Sequence, residues 1–379
     1  MEEWKDCSLG DIITFQRGHD LPMTNVVHGE FPIAGSNGII GYHDKYTTKA
    51  PSITIGRSGT IGNPKYYDKD FWAHNTTLYV KEFKGVDPKY IYYLFKTIDF
   101  TIHNSGSAVP TLNRNYLHPI EVKIPPLYKQ LQIAKILGAI DDKIDLNLQM
   151  NNNLELMAQS QFKHDFVDGI DPDNLPKGWK HTYLGDCINT ISKTHKFPKS
   201  NVIFLNTSDI LDGFVLHSNY SEVESLPGQA KKSIQKFDIL YSEIRPMNKR
   251  FAYVNFNADD YVVSTKLMVL RPKTDIDSIF FYFILTRPWI ISELQNQAEA
   301  RSGTFPQITF DQIKEISFLL PDRKFLNDFI EKVLIPNYEL IYSNSNEIKY
   351  LTSLRDYLLP KLVSGEITTS EIAIIEQAL

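Results

Sequence analysis

Two stretches near one another share the spacing Gly-x-x-Gly-x-x-Gly: "GSNGIIG" at 35–41 and "GRSGTIG" at 56–62. Glycines at such intervals free the backbone to turn its N–H groups toward a phosphate, so nucleotide binding is the first chemistry to test. The sequence argues against it. No Gly-x-x-x-x-Gly-Lys-Ser/Thr loop occurs, neither stretch has the Gly-x-Gly-x-x-Gly spacing of a dinucleotide site, and the second runs into "NPKYYD", which cannot begin a long helix. Two readings stay open: a structural hairpin, or a loop whose glycines bring the backbone close to a DNA groove. On the second, Ser36, Asn37, Arg57, Ser58 and Thr60 are candidate DNA contacts, with Asn75, Thr76 and Arg114 from neighbouring stretches. Arginine is the best single donor to guanine in a major groove.

A second group lies in "EIRPMNKR", 243–250, where Arg245, Asn248, Lys249 and Arg250 stand beside Phe251 and Tyr253; "VSTKL" adds Ser264, Thr265 and Lys266. A charge run is usually a solvated face. On a polyanion, lysines would position on phosphate while Arg and Asn read base edges. His19, His28, His43 and His74 have no metal-ligand spacing, no paired carboxylates stand out, and no catalytic constellation is legible. No metal site is expected.

The 379 residues suit two or three domains, and 42% hydrophobic with 22% charged residues is ordinary for a globular chain. Cys7 and Cys187 lie far apart, the acidic start "MEEWKDCSLGD" is unlike a signal peptide, and no apolar run is long enough to span a bilayer. A cytoplasmic protein without a membrane partner is the expectation. Net charge is −5, unusual for a stand-alone DNA binder. Residues 1–129 hold 14 basic and 13 acidic side chains and 179–324 hold 18 and 16, whereas 130–178 and 325–379 each hold 4 and 8. Two kinds of surface alternate.

The chain also repeats. "WKDCSLGD" at 4–11 returns as "WKHTYLGD" at 179–186, and "SAVPTLNRNYLHPIEVKIPP" at 107–126 has a weaker echo in "GTFPQITFDQIKEISFLLPD" at 303–322, where Pro110 meets Pro306. The interiors share no readable identity. Short runs such as "SITIGR", "TLYV", "VIFLN" and "KLMVLRP" predict mixed α/β copies with a β core. After each copy comes a helical pattern. Ile133, Leu137, Ile140 and Ile144, then Asn147 and Asn151, form a heptad seam with a polar centre; its counterpart offers Leu351, Leu354 and Leu358, with Pro336 expected to break or kink it. One such stripe reads as a helix packed on its own domain; two, in matching places, read better as antiparallel helices lying along one another, with the asparagines setting register.

End to end, the arrangement resembles the specificity subunit of type I restriction-modification enzymes. "FPIAGSNGIIGYHDKY" through "GRSGTIGNPKYYDKDFWAHNTTLYV" looks like one target-recognition domain, "FDILYSEIRPMNKRFAYVNF" with "YVVSTKLMVLRP" is similar to another variety, and "LLPKLVSGEI" at 358–367 resembles the end of the second helical region. The resemblance implies an α+β fold with a pseudo-two-fold internal repeat: target-recognition domains at 1–129 and 171–324, separated by long antiparallel coiled-coil-like helices at 130–170 and 325–379. It implies a non-catalytic subunit that reads an asymmetric bipartite site in double-stranded DNA. Its helices, through Ile133, Leu137, Ile140, Ile144, Asn147, Asn151, Leu351, Leu354 and Leu358, would serve as spacer and dock two methyltransferase subunits, with restriction/translocase subunits in the full complex. S-adenosylmethionine, ATP and Mg would belong to those partners, with no cofactor bound by this chain. The competing readings are a two-domain scaffold that binds protein or glycan, and a concealed nuclease.

Overall fold

The computed structural model describes residues 4–105, 110–171, 173–367 and 371. Residues 107–109 of the repeat echo, and 368–370 and 372–379 of the expected C-terminal helical region, lie outside them. The chain forms two compact units: Met1–Gln149 with Asn344–Leu379, and Met150–Ser343.

The repeated stretches are two sides of one joint. In the first unit Lys5–Ser8 pairs antiparallel with Glu121–Ile124, and the N–H groups of Leu9 and Gly10 donate to the carbonyls of Ile120 and His118 at 2.9 Å. The Asp11 carboxylate accepts the Ser8 N–H at 2.8 Å and closes the turn. A Cβ on Gly10 would stand 3.1 Å from the His118 Cβ, so the small residue lets turn and strand touch. The second unit repeats this joint: Lys180–Tyr183 pairs with Ser317–Leu320, Leu184 N–H donates to the Ile316 carbonyl at 2.9 Å, and a Cβ on Gly185 would come within 2.7 Å of the Lys314 Cβ. Both members of the joint are constrained by contact with each other, which is why they retain identity.

The interiors, unreadable as a repeat, share a topology. The first unit has a four-stranded antiparallel sheet in the order Ile13–Arg17, Thr77–Phe83, Ser52–Gly56, Lys65–Tyr67; the second has the same order in Ile188–Ile191, Leu267–Pro272, Ile239–Ser242, Phe251–Tyr253. Phe31–Gly35 runs parallel to Trp72–Ala73 as Asn201–Leu205 runs parallel to Tyr261–Ser264. The additional length of the second copy includes the Ile210–Leu211/Phe214–Val215 hairpin and the strand Ala230–Ser233. Ser52–Gly56 and Ile239–Ser242 are buried at every position, as expected of central strands covered on both faces. A helix follows each sheet: Pro88–Lys96, capped by the Asp87 carboxylate accepting Tyr90 N–H, and Ser278–Leu285, capped likewise by Asp277.

The central helix, Leu127–Phe166, has 40 residues and is continuous; at ~1.5 Å per residue it is about 60 Å long. The C-terminal helical stretch comprises Arg323–Phe329, a π-turn at Ile330–Leu334, and Ile335–Ser364. Pro336 does not break it as expected. The Ile335 N–H donates five residues back, to Ile330, and the wider turn absorbs the missing donor and the ring of the proline that follows.

Each half of each helix belongs to the core of the unit it enters. Ile133, Leu137, Ile140 and Ile144 pack with Leu9, Phe15 and Tyr90 as well as with Leu351, Leu358 and Leu362. Ala158, Phe162 and Phe166 pack with Phe280, Phe283 and Phe329 in the second unit. The seam is therefore both helix-to-helix and helix-to-domain, and four sequence segments become two folded units. Within the first unit the pairing is antiparallel and fixed by polar contacts. Asn147, 1% exposed, donates from Nδ2 to Glu347 Oε2 at 2.7 Å, and the Arg355 guanidinium donates to Asp141 Oδ1 at 3.0 Å. Asn151 is half-buried. Within the second unit, Asn337 donates to the Leu154 carbonyl at 3.2 Å. No described helix is long and apolar enough to cross a membrane.

Candidate nucleic-acid interface

The glycines of "GRSGTIG" serve the loop's own closure. A Cβ on Gly56 would lie 1.8 Å from the Thr60 carbonyl oxygen, and Gly59 and Gly62 both have φ of +80°. The N–H groups of Arg57 and Ser58 donate to the Thr76 carbonyl, that of Gly59 to Pro110 and that of Gly62 to Gly56. With those donors engaged inside the protein, the loop is not a phosphate cradle. What it presents is side chains. "GSNGIIG" forms the turn between Phe31–Gly35 and Gly38–His43, with Gly38 at φ +122°. Asn37 is exposed at that turn, and the Ser36 carbonyl abuts Gly56 at 2.9 Å from where its Cβ would be.

Arg57 and Arg114 converge, with Arg17, on an open groove also lined by Asp20, Ser105 and Thr111. Asp20 is the single carboxylate in that lining, so the groove favours an anion. Arg57 is half-buried and its Nη1 donates to the Asn75 carbonyl at 3.2 Å, with the rest of the fork unbonded among the described residues. Burial, and then Arg17, lower its pKa without threatening its charge. Arg114 is exposed at the start of Arg114–Leu117, and Arg17 is exposed at 3.7 Å from Asp20. Asn75 and Thr76, two further sequence candidates, brace this site: the Asn75 side-chain amide donates to Asp20, and the Thr76 hydroxyl meets His74 Nδ1 at 2.9 Å. Burial holds His74 below its usual pKa. Ser58 is half-buried and Thr60 exposed on the same loop.

In the second unit the basic run divides. Arg245 and Asn248 are exposed, on either side of the turn Pro246–Asn248. Lys249 is exposed but pairs with Asp212 at 3.2 Å. Arg250 turns inward and donates from Nη1 to the carbonyls of Ser208 and Ile210, both at 3.0 Å; it is a bracket between strands. Ser264 is wholly buried, accepting the Lys266 N–H at 3.2 Å, and is not free to touch DNA. Thr265 is half-buried, with its N–H on the Gln229 carbonyl. Lys266 reaches both Glu243 and Gln307, at 3.3 and 3.4 Å. Sequence reading passed over those last two, although Gln307 follows Pro306, the residue that aligned with Pro110.

Of the helix residues offered for partner docking, Ile133, Leu137, Ile140, Ile144, Asn147, Leu351 and Leu358 are buried in the chain's own core, and Leu354 packs against it. Their role is internal. Exposed apolar side chains on the same helices of the first unit are Leu127, Tyr128, Leu131, Leu146, Leu148, Tyr350 and Tyr357. Among the described residues no group of three or more His, Cys, Asp or Glu side chains is placed to hold a metal ion.

Comparison with known proteins agrees with this architecture. The chain is similar to the type I restriction enzyme HindI specificity subunit of Haemophilus influenzae, 48% identical over 148 residues, which is 38% of this chain and 32% of that protein. It is also similar to the MjaIX specificity subunit of Methanocaldococcus jannaschii, 26% identical over 76% of this chain and 71% of the relative. The crystal structure of a type I restriction-modification S subunit from M. genitalium superposes with a TM-score of 0.66 at 16% identity, over 96% of both chains, and shares the fold. The type I restriction modification DNA specificity domain is matched twice, at residues 1–156 and 176–363, and the chain belongs to that family.

Proposed function

We propose that the chain is the DNA-reading, non-catalytic subunit of a type I restriction-modification complex, and that each unit reads one half of an asymmetric bipartite target in double-stranded DNA. The observation that carries this reading is one sheet topology used twice, with a groove holding Arg17, Arg57 and Arg114 against a single carboxylate in the first copy and different side chains at the corresponding places in the second. A shared scaffold with unlike readers calls for unlike half-sites. The two helices act as spacer, and their outward apolar residues, among them Leu131, Leu146, Leu148, Tyr350 and Tyr357 in the first unit, suit docking of two methyltransferase subunits. Restriction/translocase subunits join in the full complex. Methyl transfer from S-adenosylmethionine, and translocation using ATP and Mg, belong to the partner chains.

The acidic balance of the two helical segments accords with this division, since partners then supply much of the phosphate neutralisation. The test is DNA binding at 50 mM salt with and without a co-expressed modification subunit, followed by sequencing of methylated adenines in the host. A two-part motif is expected. A complex that binds all duplexes alike would refute the reading, and binding to protein or glycan instead would favour the scaffold alternative.

A further inference from the structure

The backbone pairings put the two units into one-to-one correspondence at a junction where three segments meet. In the first unit Arg57 N–H donates to the Thr76 carbonyl at 2.8 Å, and Leu112 N–H donates to the Arg57 carbonyl at 2.8 Å. In the second, Glu243 N–H donates to Lys266 at 3.1 Å, and Ile308 N–H to Glu243 at 2.8 Å. The next residue forms an isolated antiparallel bridge in both, Ser58 with Thr111 and Ile244 with Gln307. The one after that donates its N–H to a proline carbonyl, Gly59 to Pro110 at 3.3 Å and Arg245 to Pro306 at 3.2 Å. Glu243 therefore stands where Arg57 stands, Lys266 where Thr76 stands, and Gln307 where Thr111 stands. None of these positions carries identity in sequence.

The chemistry at the junction is reversed between copies. Arg57 offers only donors, and in the first unit its neighbours Thr76 and Thr111 carry no charge. In the second, Lys266 Nζ is 3.3 Å from Glu243 Oε2 and 3.4 Å from Gln307 Oε1, so one cation draws two acceptor groups together. All three side chains are half-buried, as are Arg57 and Thr111. Arg245 adds an independent sign. It holds φ +41° where the first unit uses a glycine at +80°, a backbone region that a side chain rarely occupies, and its side chain is exposed. Packing does not account for an arginine there.

Resting on the DNA-reading function above, we propose that this junction is the base-reading point of both units, and that Gln307 is a specificity-determining residue of the second. Its amide carries one acceptor and one donor, the complement of the N6 and N7 edge of adenine, whereas Arg57 complements the acceptor edge of guanine. Lys266, neutralised by Glu243, is a positioning residue: it donates to one lone pair of the Gln307 oxygen and leaves the other for the base.

The test uses the full chain with its modification subunit, measuring binding to the wild-type target and to duplexes changed at single positions. Gln307→Ala is expected to flatten discrimination at one A·T pair of one half-site by about tenfold or more, with the other half-site read as before. Gln307→Glu should move the preference at that pair toward cytosine, whose N4 donates to a carboxylate. Lys266→Met should relax the same position and no other. A Gln307→Ala protein that melts like the wild type yet keeps full discrimination, or loses affinity equally for every duplex, overturns the inference while leaving the DNA-reading function intact. A wild-type complex that discriminates no sequence fells the function, and this inference with it.

Discussion

Arg57 and Arg114 line one groove but should fail differently when removed. Arg57 is half-buried with one fork nitrogen held by the Asn75 carbonyl at 3.2 Å, so its remaining donors are aimed and little rotamer freedom is lost on contact. An arginine held in this way and bidentate to guanine supplies about 1–3 kcal/mol of discrimination, roughly 5- to 150-fold. Among the described residues no hydrogen bond or ion pair holds the exposed Arg114 side chain, which suits it to a phosphate. One phosphate contact contributes about 0.9 to the slope of log affinity against log salt; over a fourfold rise from ~50 to ~200 mM that is about 3.5-fold. Arg57→Ala should therefore bring target and single-mismatch duplexes together at one position. Arg114→Ala should weaken all duplexes alike and soften the salt dependence by that factor. The assay is anisotropy titration of labelled duplexes by the assembled complex across that salt range. If Arg57→Ala lowers affinity uniformly, or Arg114→Ala changes which base is preferred, the assignment of reader and anchor in this groove is wrong.

Other consequences can be checked separately. Lengthening both helices by four residues, after Gln149 and after Ser343 so that the Asn147–Glu347 and Asp141–Arg355 contacts keep register, adds about 6 Å of rise, close to two steps of ~3.4 Å along DNA. The gap between half-sites in the methylome should grow by one or two base pairs, and an unchanged gap would count against a helical ruler. Exchanging residues 187–301 for those of a relative should alter one half-site only; alteration of both defeats the modular reading. In the first unit, His118 Nε2 accepts the Phe15 N–H at 3.0 Å, which requires the neutral ring, and burial lowers its pKa. That contribution is complete above the unfolded value near ~6.5 and is lost as pH falls below it, so the melting temperature should drop more steeply with acid in the wild type than in His118→Gln. Asp238 is wholly buried and takes two bonds from Arg271, at 2.7 and 2.8 Å. Arg271→Ala should cost about 3–5 kcal/mol by denaturant unfolding of the second unit, and a loss under ~1 kcal/mol would mean that water already serves that carboxylate.

What sequence disclosed, and what it hid, follow from what each feature depends on. The Trp and Leu-Gly-Asp repeat was legible because Gly10 and Gly185 are held to identity by contact with the strand opposite. The shared sheet order was not, since a central strand needs only burial on both faces: "SITIG" and "ILYS" satisfy it equally without resembling each other. The heptad of Ile133 to Ile144 was readable as buried but not by what, because an apolar face is indifferent to whether a helix or a sheet covers it. Ser264 is wholly buried, and Arg250 spends its Nη1 on two carbonyls, which sequence did not disclose for a related reason. Adjacency to a basic run does not tell which way a side chain turns, and Arg250 turns to the Ser208 and Ile210 carbonyls. Gln307 was missed because it carries no charge, although its place after Pro306 marked it.

The discontinuity of the first unit bears on the order in which the protein is made. Residues 150–343 are contiguous and can fold as they are synthesised, but the core of the first unit joins Ile133, Leu137 and Ile140 with Leu351, Leu358 and Leu362. Until Leu351, Leu358 and Leu362 arrive, the part of that core they complete stands open to water, and the domain begun first is the one completed last. A pause in translation anywhere downstream of Gln149 would prolong this exposure, so chaperone dependence should track the first unit rather than the second.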